Sequence, residues 1–321
     1  MEQSSLSGKI VLGVDGGGTK TACVALDLSG HQLGEGRAGS SNRNSVGDEK
    51  AQANVNQAIQ SALQAANCSL NQVAAICLGM AGVDRGPERA RVTSWIEALL
   101  PGIPVTIDND AMAALASATG GDLFGVVLIS GTGMIVYGID RQGQRRRAGG
   151  WGALLGDKGS GYALGVAALT AIANATDGIG PPTALQAAVL QQLQLAKPQD
   201  LVTWMYSDIA WARFAALAPL VTQCAEQGDA VANAILDQAA DDLATTVKAV
   251  VNGLHLAQAA FPLVLAGGNL QPGLLRSRLE PHLQQLAPAA HITSPQVEPA
   301  TGAALLALKL LNNNEFRNQR I

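Results

Sequence analysis

Short apolar runs rich in β-branched residues alternate with helix-length segments along this chain. Residues 10–14, 21–26, 73–80 and 105–107 predict strands in the first third of the sequence. Residues 48–66 instead carry apolar side chains at helical spacing, which predicts an amphipathic helix between two of these strands. Strands and helices mixed in this way are typical of an α/β fold.

The pattern starts again after a Gly-Gly pair at 120–121, which indicates a second domain. Before a polar tail over 312–321, further elements are predicted: strands over 124–129, 134–139 and 262–266, and helices over 230–254 and 301–311. We expect an N-terminal domain over residues 1–118 and a C-terminal domain over 119–311. The last helix is expected to pack back on the N-terminal domain.

Two strand–turn–strand segments share one design. In each, an apolar strand ends in a turn containing Gly and Thr, a second strand follows, and an Asp begins a polar turn. Thr132 and Asp140 repeat the spacing of Thr19 and Asp27. Because a strand and not a helix follows the glycines, neither a dinucleotide fingerprint nor a Walker loop is predicted. The repeated spacing suggests two related halves.

Composition narrows the classes of function. Of the 321 residues, 48% are apolar and 14% charged, and the net charge is −4, which is typical of a folded chain. Mild acidity and an aromatic content of 3% argue against general nucleic-acid binding. The four cysteines lack metal-type spacing and residues 1–8 do not resemble a signal peptide, so we expect a cytoplasmic protein. The uncharged segment 160–176 contains Gly, Thr and Asn, and is interpreted as a buried helix instead of a membrane span.

Three glycine-containing turns, over residues 15–19, 130–133 and 267–269, each follow an apolar strand. Glycine allows backbone N–H groups to approach a polyphosphate closely, and Thr19 and Thr132 can add hydroxyl donors. A tight hairpin also needs glycine, so a single turn of this kind indicates little. The ordered set of three favours a nucleotide site. Asp15, which leads the first turn, suits Mg²⁺, because this ion prefers oxygen ligands.

Asp-Asn-Asp at residues 108–110 stands where a predicted strand gives way to a helix. These residues can cap the helix N-terminus, as Asp and Asn often do. One carboxylate can instead act as a general base that takes the proton of a substrate hydroxyl. The two interpretations are compatible if one Asp caps the helix and the other catalyses.

Residues 149–161 form a glycine-dense segment that also contains Trp151 and Asp157. So many glycines are entropically costly unless another chemical group must approach closely. An indole ring can face the apolar side of a sugar, and a carboxylate can accept hydrogen bonds from its hydroxyls. The alternative is an ordinary loop with a packed Trp.

The order of these motifs resembles the N-acetylglucosamine kinase branch of the actin, sugar-kinase and heat-shock-chaperone ATPase superfamily. This branch lies within the wider family of benzoyl-CoA-reductase-type ATPases. The resemblance extends from about residue 10 to 311, and its most specific parts are residues 13–21, 109–111 and 149–157. It implies an α/β fold with two RNase H-like domains, each a mixed sheet flanked by helices, and a cleft between them.

The resemblance also implies a reaction, the transfer of the ATP γ-phosphate to a sugar 6-hydroxyl with Mg²⁺. It implies that Asp110 is the catalytic base and that Asp15 serves the metal. The residues it implies for ATP are Asp15, Gly16, Gly17, Gly18, Thr19, Lys20, Gly131, Thr132, Gly133, Gly267, Gly268 and Asn269. Those it implies for the sugar are Asn42, Asp110, Gly150, Trp151 and Asp157. A small-molecule sugar is the expected partner and a homodimer the expected assembly.

Three positions depart from the family pattern. Met134 and Ile135 stand where the family carries Ser and, in vertebrate-type members, Asn; Lys158 stands where it carries an acid. Glucosamine or another hexose is therefore an alternative acceptor. An ATPase coupled to a task other than sugar phosphorylation is opposed by the lack of clustered cysteines for an iron–sulfur centre. A non-catalytic sugar sensor is opposed by the presence of Asp15 and Asp110.

Overall fold

The computed structural model describes residues 8–312 apart from Thr19, Asp84 and Arg85, and only the backbone of 44–45. The polar tail beyond residue 312 lies outside the described residues. The chain forms two compact units. Unit 1 consists of two segments, one that ends at Phe124 and one that begins at Thr293. Unit 2 is the segment between them, Gly125–Ile292. Unit 1 therefore continues past the expected boundary at residue 118, and the C-terminal helix belongs to it.

Both units combine strands and helices, as predicted. The strands are β1 (Ile10–Gly16), β2 (Lys20–Asp27), β3 (Gln32–Gly39), β4 (Val73–Met80), β5 (Val105–Asp108), β6 (Gly125–Ser130), β7 (Met134–Ile139), β8 (Arg145–Gly149), β9 (Pro262–Ala266) and β10 (His291–Thr293). The helices are α1 (Arg43–Val46), α2 (Asp48–Ala65), α3 (Gly86–Leu99), α4 (Asp110–Thr119), α5 (Gly161–Thr176), α6 (Leu185–Leu193), α7 (Asp200–Ser207), α8 (Trp211–Ala215), α9 (Ala218–Glu226), α10 (Ala230–Gly253), α11 (Leu274–Leu286) and α12 (Pro299–Asn312).

The two units share one sheet topology. The strand order is β3-β2-β1-β4-β5 in unit 1 and β10-β9-β6-β7-β8 in unit 2, which is the same order read from the opposite edge. In both, the first three strands pair antiparallel and a later strand joins the first one in parallel. The α/β class with two mixed sheets is therefore confirmed.

The repeated Asp of the two hairpins has one local cause. Asp27 Oδ1 accepts hydrogen bonds of 2.8 and 2.9 Å from the N–H groups two and four residues ahead. Asp140 Oδ1 does the same at 2.9 and 2.8 Å. An Asp side chain that bonds its own turn in this way stabilises a tight reversal. The spacing noted in the sequence thus marks equivalent turns.

The sheet of unit 1 has an apolar core on each face. One core packs against α2 and α3 and includes Val55, Ile59 and Trp95, while the other packs against α4 and α12. Gly13 in β1 allows α12 to lie directly on the sheet, because a Cβ there would collide with backbone atoms of Ala300 and Ala304. The C-terminal helix is therefore part of the core of unit 1.

The helices of unit 2 were predicted less completely. The stripe at 230–254 forms α10, whereas α6 to α9 and α11 were not predicted; α11 nevertheless buries Leu275, Leu279 and Leu283 on one face. The uncharged segment forms α5, but only one of its faces is buried. Within the described residues, no helix combines the length and apolarity that crossing a membrane requires.

Candidate functional site

Strand register brings the predicted carboxylates of unit 1 to one edge of its sheet. β1, β4 and β5 run parallel; Asp15 is level with Gly79, and Gly79 with Asp108. Gly79 leaves room for α4, since a Cβ there would lie 2.6 Å from the Ala113 side chain. Asp15 and the start of α4 at Asp110 therefore lie at the carboxyl ends of these strands, where ligands bind in open α/β sheets.

The three polar residues at the start of α4, Asp108, Asn109 and Asp110, have three different environments. The expectation that an Asp caps the helix is wrong: Asn109 is the N-cap, and its side chain accepts a 2.7 Å hydrogen bond from the Ala111 N–H. Asp108 is buried and accepts a 2.9 Å hydrogen bond from Arg89. Asp110 occupies the first turn of α4, where the helix dipole favours a negative charge.

Asp15 is the most electrostatically perturbed carboxyl group of this edge. Burial raises its pKa, the negative charge of Asp110 raises it further, and the pKa reaches about 7. Lys20 lowers the pKa of Asp15 and Glu298 raises it. Perturbed carboxyl groups of this kind are typical of functional sites.

Glu298 is a charged neighbour that sequence reasoning missed. It directly precedes α12, and its carboxylate lies 4.0 Å from the Lys20 ammonium. A lone Glu far from every motif gave no local signal. Its position depends on α12 packing across β1, a long-range contact.

The first glycine turn and the predicted sugar residue Asn42 are joined by Ser40. The Ser40 hydroxyl donates to the Gly17 carbonyl and accepts from the Asn42 N–H, both at 3.2 Å. Gly17 closes the turn with a 3.0 Å bond from its N–H to the Lys20 carbonyl. A Cβ on Gly18 would lie 4.0 Å from the Asn42 side-chain nitrogen. Gly16, Gly18, Lys20 and Asn42 therefore cluster, while Thr19 lies outside the described residues.

In unit 2, the other two glycine turns meet at the carboxyl ends of β6 and β9. Register pairs Ile129 with Ala266, so the turns that follow begin side by side. Gly267 has φ +93°, and a Cβ there would collide with the Ser130 carbonyl, so both its backbone conformation and its surroundings require glycine. Gly131, Thr132 and Gly133 thus lie next to Gly267, Gly268 and Asn269.

The glycine-dense segment surrounds Asp157. Gly149, Gly150 and Gly152 all have positive φ, which turns this stretch tightly. Burial raises the pKa of Asp157 and outweighs the opposing effect of the nearby backbone N–H groups of Met134 and residues 150–152. Among the described residues, none bonds its buried Oδ1 atom. A buried acceptor without a protein partner is unfavourable, which is typical of a carboxylate built for a ligand.

Trp151 lies on this loop with an exposed indole. Its relative exposure is 67%, large for a Trp, so the ring is available to a ligand. The Arg147 guanidinium lies 5.9 Å from the ring centroid and donates a 3.0 Å hydrogen bond to the Gly150 carbonyl. An aromatic face beside an unsatisfied carboxylate can hold the apolar side of a sugar while its hydroxyls are bonded.

The three departures from the family pattern have different surroundings. Met134 is buried, and its carbonyl accepts a 2.7 Å bond from the Gly150 N–H. The Ile135 side chain lies beside Gly150, because a Cβ on that glycine would meet it at 3.1 Å. Lys158 is exposed and its ammonium lies 3.9 Å from the Asp242 carboxylate. The lysine charge is thus directed to α10, whereas Ile135 adds an apolar contact at the glycine loop.

The predicted residues form two groups, one in each unit. Unit 1 holds Asp15 with its glycine turn, Lys20, Asn42 and Asp110; unit 2 holds the other two glycine turns with Gly150, Trp151 and Asp157. The first group offers a general base and a carboxylate for a cation. The second offers backbone donors for phosphates and an aromatic–carboxylate pair for a polyol.

The carboxylates of unit 1 fit Mg²⁺. Two negative charges raise the pKa of Asp15, so a divalent cation would be favoured there. Mg²⁺ is usually bound by one or two carboxylates together with substrate phosphates and water. Asp15, with Asp110 as its neighbour, provides that donor chemistry.

Residues 12–307 match the model of the BadF/BadG/BcrA/BcrD ATPase family. An N-acetyl-D-glucosamine kinase of Dictyostelium discoideum is 42% identical over 315 residues, covering 94% of this chain and 99% of the relative. An N-acetylmuramic acid/N-acetylglucosamine kinase of Clostridium acetobutylicum is 34% identical over 301 residues, covering 93% and 98%. The crystal structure of a Chromobacterium violaceum protein assigned as an N-acetylglucosamine kinase aligns with a TM-score of 0.75 and 32% identity, over 94% of this chain and 99% of that one.

Proposed function

Since the chain belongs to the BadF/BadG/BcrA/BcrD ATPase family, we propose that it is an ATP-dependent N-acetylglucosamine kinase. It transfers the γ-phosphate of ATP to the 6-hydroxyl of the sugar. The observation that carries this proposal is the 42% identity that extends over 99% of the Dictyostelium kinase. The same reaction is implied by the motifs of the sequence.

Asp110 is proposed as the general base. It stands at the first turn of α4, next to the perturbed Asp15 and separate from the cap at Asn109. Its carboxylate accepts the proton of the 6-hydroxyl as that oxygen attacks the γ-phosphorus, whose bond to the bridging oxygen breaks so that ADP leaves. The neighbouring Asp108 is buried and accepts a hydrogen bond from Arg89, so a structural role accounts for it.

The glycine turns are proposed to hold the ATP phosphates. Gly16–Gly18 in unit 1 and Gly131–Gly133 in unit 2 carry no side chains that would keep phosphates away from the backbone, and Lys20 adds a positive charge. Gly267, Gly268 and Asn269 are proposed to lie on the adenosine side. Mg²⁺ held through Asp15 would neutralise charge on the β- and γ-phosphates. Positioning and electrostatic stabilisation supply most of the catalysis in such transfers.

The sugar is proposed to bind to Asn42, Gly150, Trp151 and Asp157. The exposed indole faces the apolar side of the ring, and the buried Oδ1 of Asp157 accepts a hydroxyl. Ile135 beside Gly150 offers an apolar surface suited to the methyl group of an N-acetyl substituent. This contact supports the N-acetyl sugar over glucosamine.

A cytoplasmic location and a homodimeric assembly complete the proposal. The free cysteines, of which Cys23, Cys77 and Cys224 are buried, fit a reducing compartment. Light scattering of the purified chain distinguishes a dimer from a monomer.

A coupled ADP-release assay tests the function. Mg-ATP is offered with N-acetylglucosamine, N-acetylmuramic acid, glucosamine, N-acetylmannosamine, glucose or no sugar. We expect release that depends on N-acetylglucosamine. Release that is equal without sugar would indicate an ATPase coupled to another task, and a preference for glucosamine would overturn the proposed acceptor.

A further inference from the structure

Ser130 connects the two ligand-binding regions of unit 2. It ends β6 and is fully buried. Its hydroxyl donates a 2.8 Å hydrogen bond to the Gly159 carbonyl. It also accepts a 3.1 Å bond from the side-chain amide of Asn269. One hydroxyl is thereby bonded both to the turn after β9 and to the turn that follows Asp157.

A second hydrogen bond fixes Asn269, at the nucleotide side of this connection. The Asn269 amide also donates a 2.9 Å bond to the Gly131 carbonyl, so the turns proposed for phosphate and for adenosine are held together. Sequence reasoning assigned Asn269 to nucleotide contact, but its amide nitrogen is engaged within the protein. Asn269 therefore also holds these two turns together.

The turn that follows Asp157, at the sugar side of this connection, is also held in place. Gly159 has φ +76°, and its position is fixed by Leu243 of α10, whose side chain a Cβ would meet at 2.5 Å. The Ser160 N–H bonds the Asp157 carbonyl at 3.1 Å, and the Gly161 N–H bonds the Gly131 carbonyl at 2.7 Å. A displacement of Gly159 is thus transmitted to the backbone of Asp157.

From this geometry we propose that Ser130 is a positioning residue that couples nucleotide binding to sugar binding within unit 2. The proposal rests on the proposed function. A buried hydroxyl that loses a partner is unfavourable, so a shift of the turn at Asn269 is accompanied by a shift of the turn at Gly159. Nucleotide binding that orders the turn at Asn269 therefore also orders the carboxylate of Asp157 before the sugar binds. Ordering by one ligand lowers the entropic cost of binding the second.

The test measures the coupling itself. N-acetylglucosamine is titrated calorimetrically into the full chain with and without saturating Mg²⁺ and a non-hydrolysable ATP analogue. The ratio of the two dissociation constants is the coupling factor, which by linkage is the same in both directions. We expect the nucleotide to tighten sugar binding at least about fivefold in the native chain, and less than about twofold in Ser130→Ala.

Two further variants separate coupling from folding. Ser117→Ala removes another buried hydroxyl, one that donates a 2.8 Å bond to the Ala114 carbonyl in α4 of unit 1, and it should retain the native factor. Ser130→Cys fills the site with a somewhat larger side chain that is only a weak donor, and it should lose coupling even if the alanine variant is unstable. A native factor near one, or an unchanged factor in both Ser130 variants, would overturn the coupling role. A native chain that binds no sugar in either state would instead contradict the proposed function.

Discussion

Burial and then the carboxylate of Asp110 raise the pKa of Asp15, although Asp15 and Asp110 are far apart in sequence. They meet because parallel register aligns Asp15 with Gly79 and Gly79 with Asp108, and because Gly79 admits α4. Two neighbouring carboxyl groups with different surroundings are a common basis for assigning a base and a metal ligand. Four predictions test this site and the fold that supports it.

Asp15→Asn should remove a pH-dependent loss of stability in the absence of nucleotide and metal. The pKa of Asp15 is raised from 3.8 to about 7 in the folded chain, so the native state binds its proton more tightly than the unfolded state does. The contribution of Asp15 to stability is therefore complete below pH 4 and is lost as the pH rises to 7. Each unit of pKa difference between the folded and unfolded states changes the free energy of unfolding by about 1.4 kcal/mol.

Urea denaturation at pH 4, 6 and 8 measures this effect. Asp15→Asn should match the native chain at pH 4 and exceed its free energy of unfolding by at least about 1.4 kcal/mol at pH 8. The difference between the two curves isolates Asp15 from other titrating groups. Parallel curves across this range would show that Asp15 is not perturbed.

Asp110→Asn should lower kcat by about 10²- to 10⁴-fold, the range typical of a lost general base. Binding of an ATP analogue and thermal stability should change little, because Asn109 still caps α4. The neighbouring Asp108→Asn provides the contrast. It weakens a buried hydrogen bond from Arg89 and should lower the free energy of unfolding by about 1–3 kcal/mol. If Asp108→Asn were the variant that abolished turnover in a folded enzyme, the assignment of the base would be wrong.

Asp157→Asn should raise the KM for the sugar by about tenfold or more, since a hydrogen bond to a charged acceptor contributes about 1.5–3 kcal/mol. The KM for ATP should stay within about twofold. Lys158→Ala is the matched control, because its exposed ammonium is directed to Asp242 and exposed ion pairs contribute about 1 kcal/mol or less. Steady-state kinetics with both substrates varied gives the values. Equal increases in both KM values for Asp157→Asn would indicate a structural role.

Gly13→Ala should destabilise unit 1 severely. Its new Cβ would collide with the backbone of α12 at Ala300 and Ala304, and overpacking of this kind costs about 1–3 kcal/mol or more. Gly86→Ala adds the same methyl group at the start of α3, where no atom of the other described residues lies within 4 Å, and should be neutral. Thermal denaturation of the two variants compares their melting temperatures, and Gly13→Ala should melt at the lower one. Equal melting temperatures would mean that α12 does not pack on β1 as described.

The sequence predicted those parts of the fold that depend on local pattern. Strands β1, β2, β4, β6, β7 and β9 were evident because each is a short apolar run that ends in glycine or a polar turn. Strand β3 was missed because polar and glycine residues fill it, and its place depends on pairing with β2. The short helices α6 to α9 have no long apolar stripe, so only their packing within unit 2 defines them.

The site was predicted wherever a motif was continuous in sequence. Its supporting residues were missed where their roles arise from distant contacts. Glu298 reaches Lys20 through the packing of α12, and Ser130 meets Asn269 because β6 and β9 are neighbours in the sheet. The sequence did not single out Asn109 as the cap, because Asp and Asn are both favoured there. Only the side-chain geometry of the helix start distinguishes them.

Because α12 belongs to unit 1 but is synthesised after unit 2, unit 1 cannot complete its fold before unit 2 has been made. N-terminal domains generally fold first as the ribosome extends the chain. Here the residues of unit 2 are complete at Ile292, before α12 has been made. Until the last helix emerges, the face of the first sheet that includes Val11, Val24 and Cys77 is therefore covered by α4 but not by α12. Unit 2 is thus the first unit whose residues have all been made and can pack together.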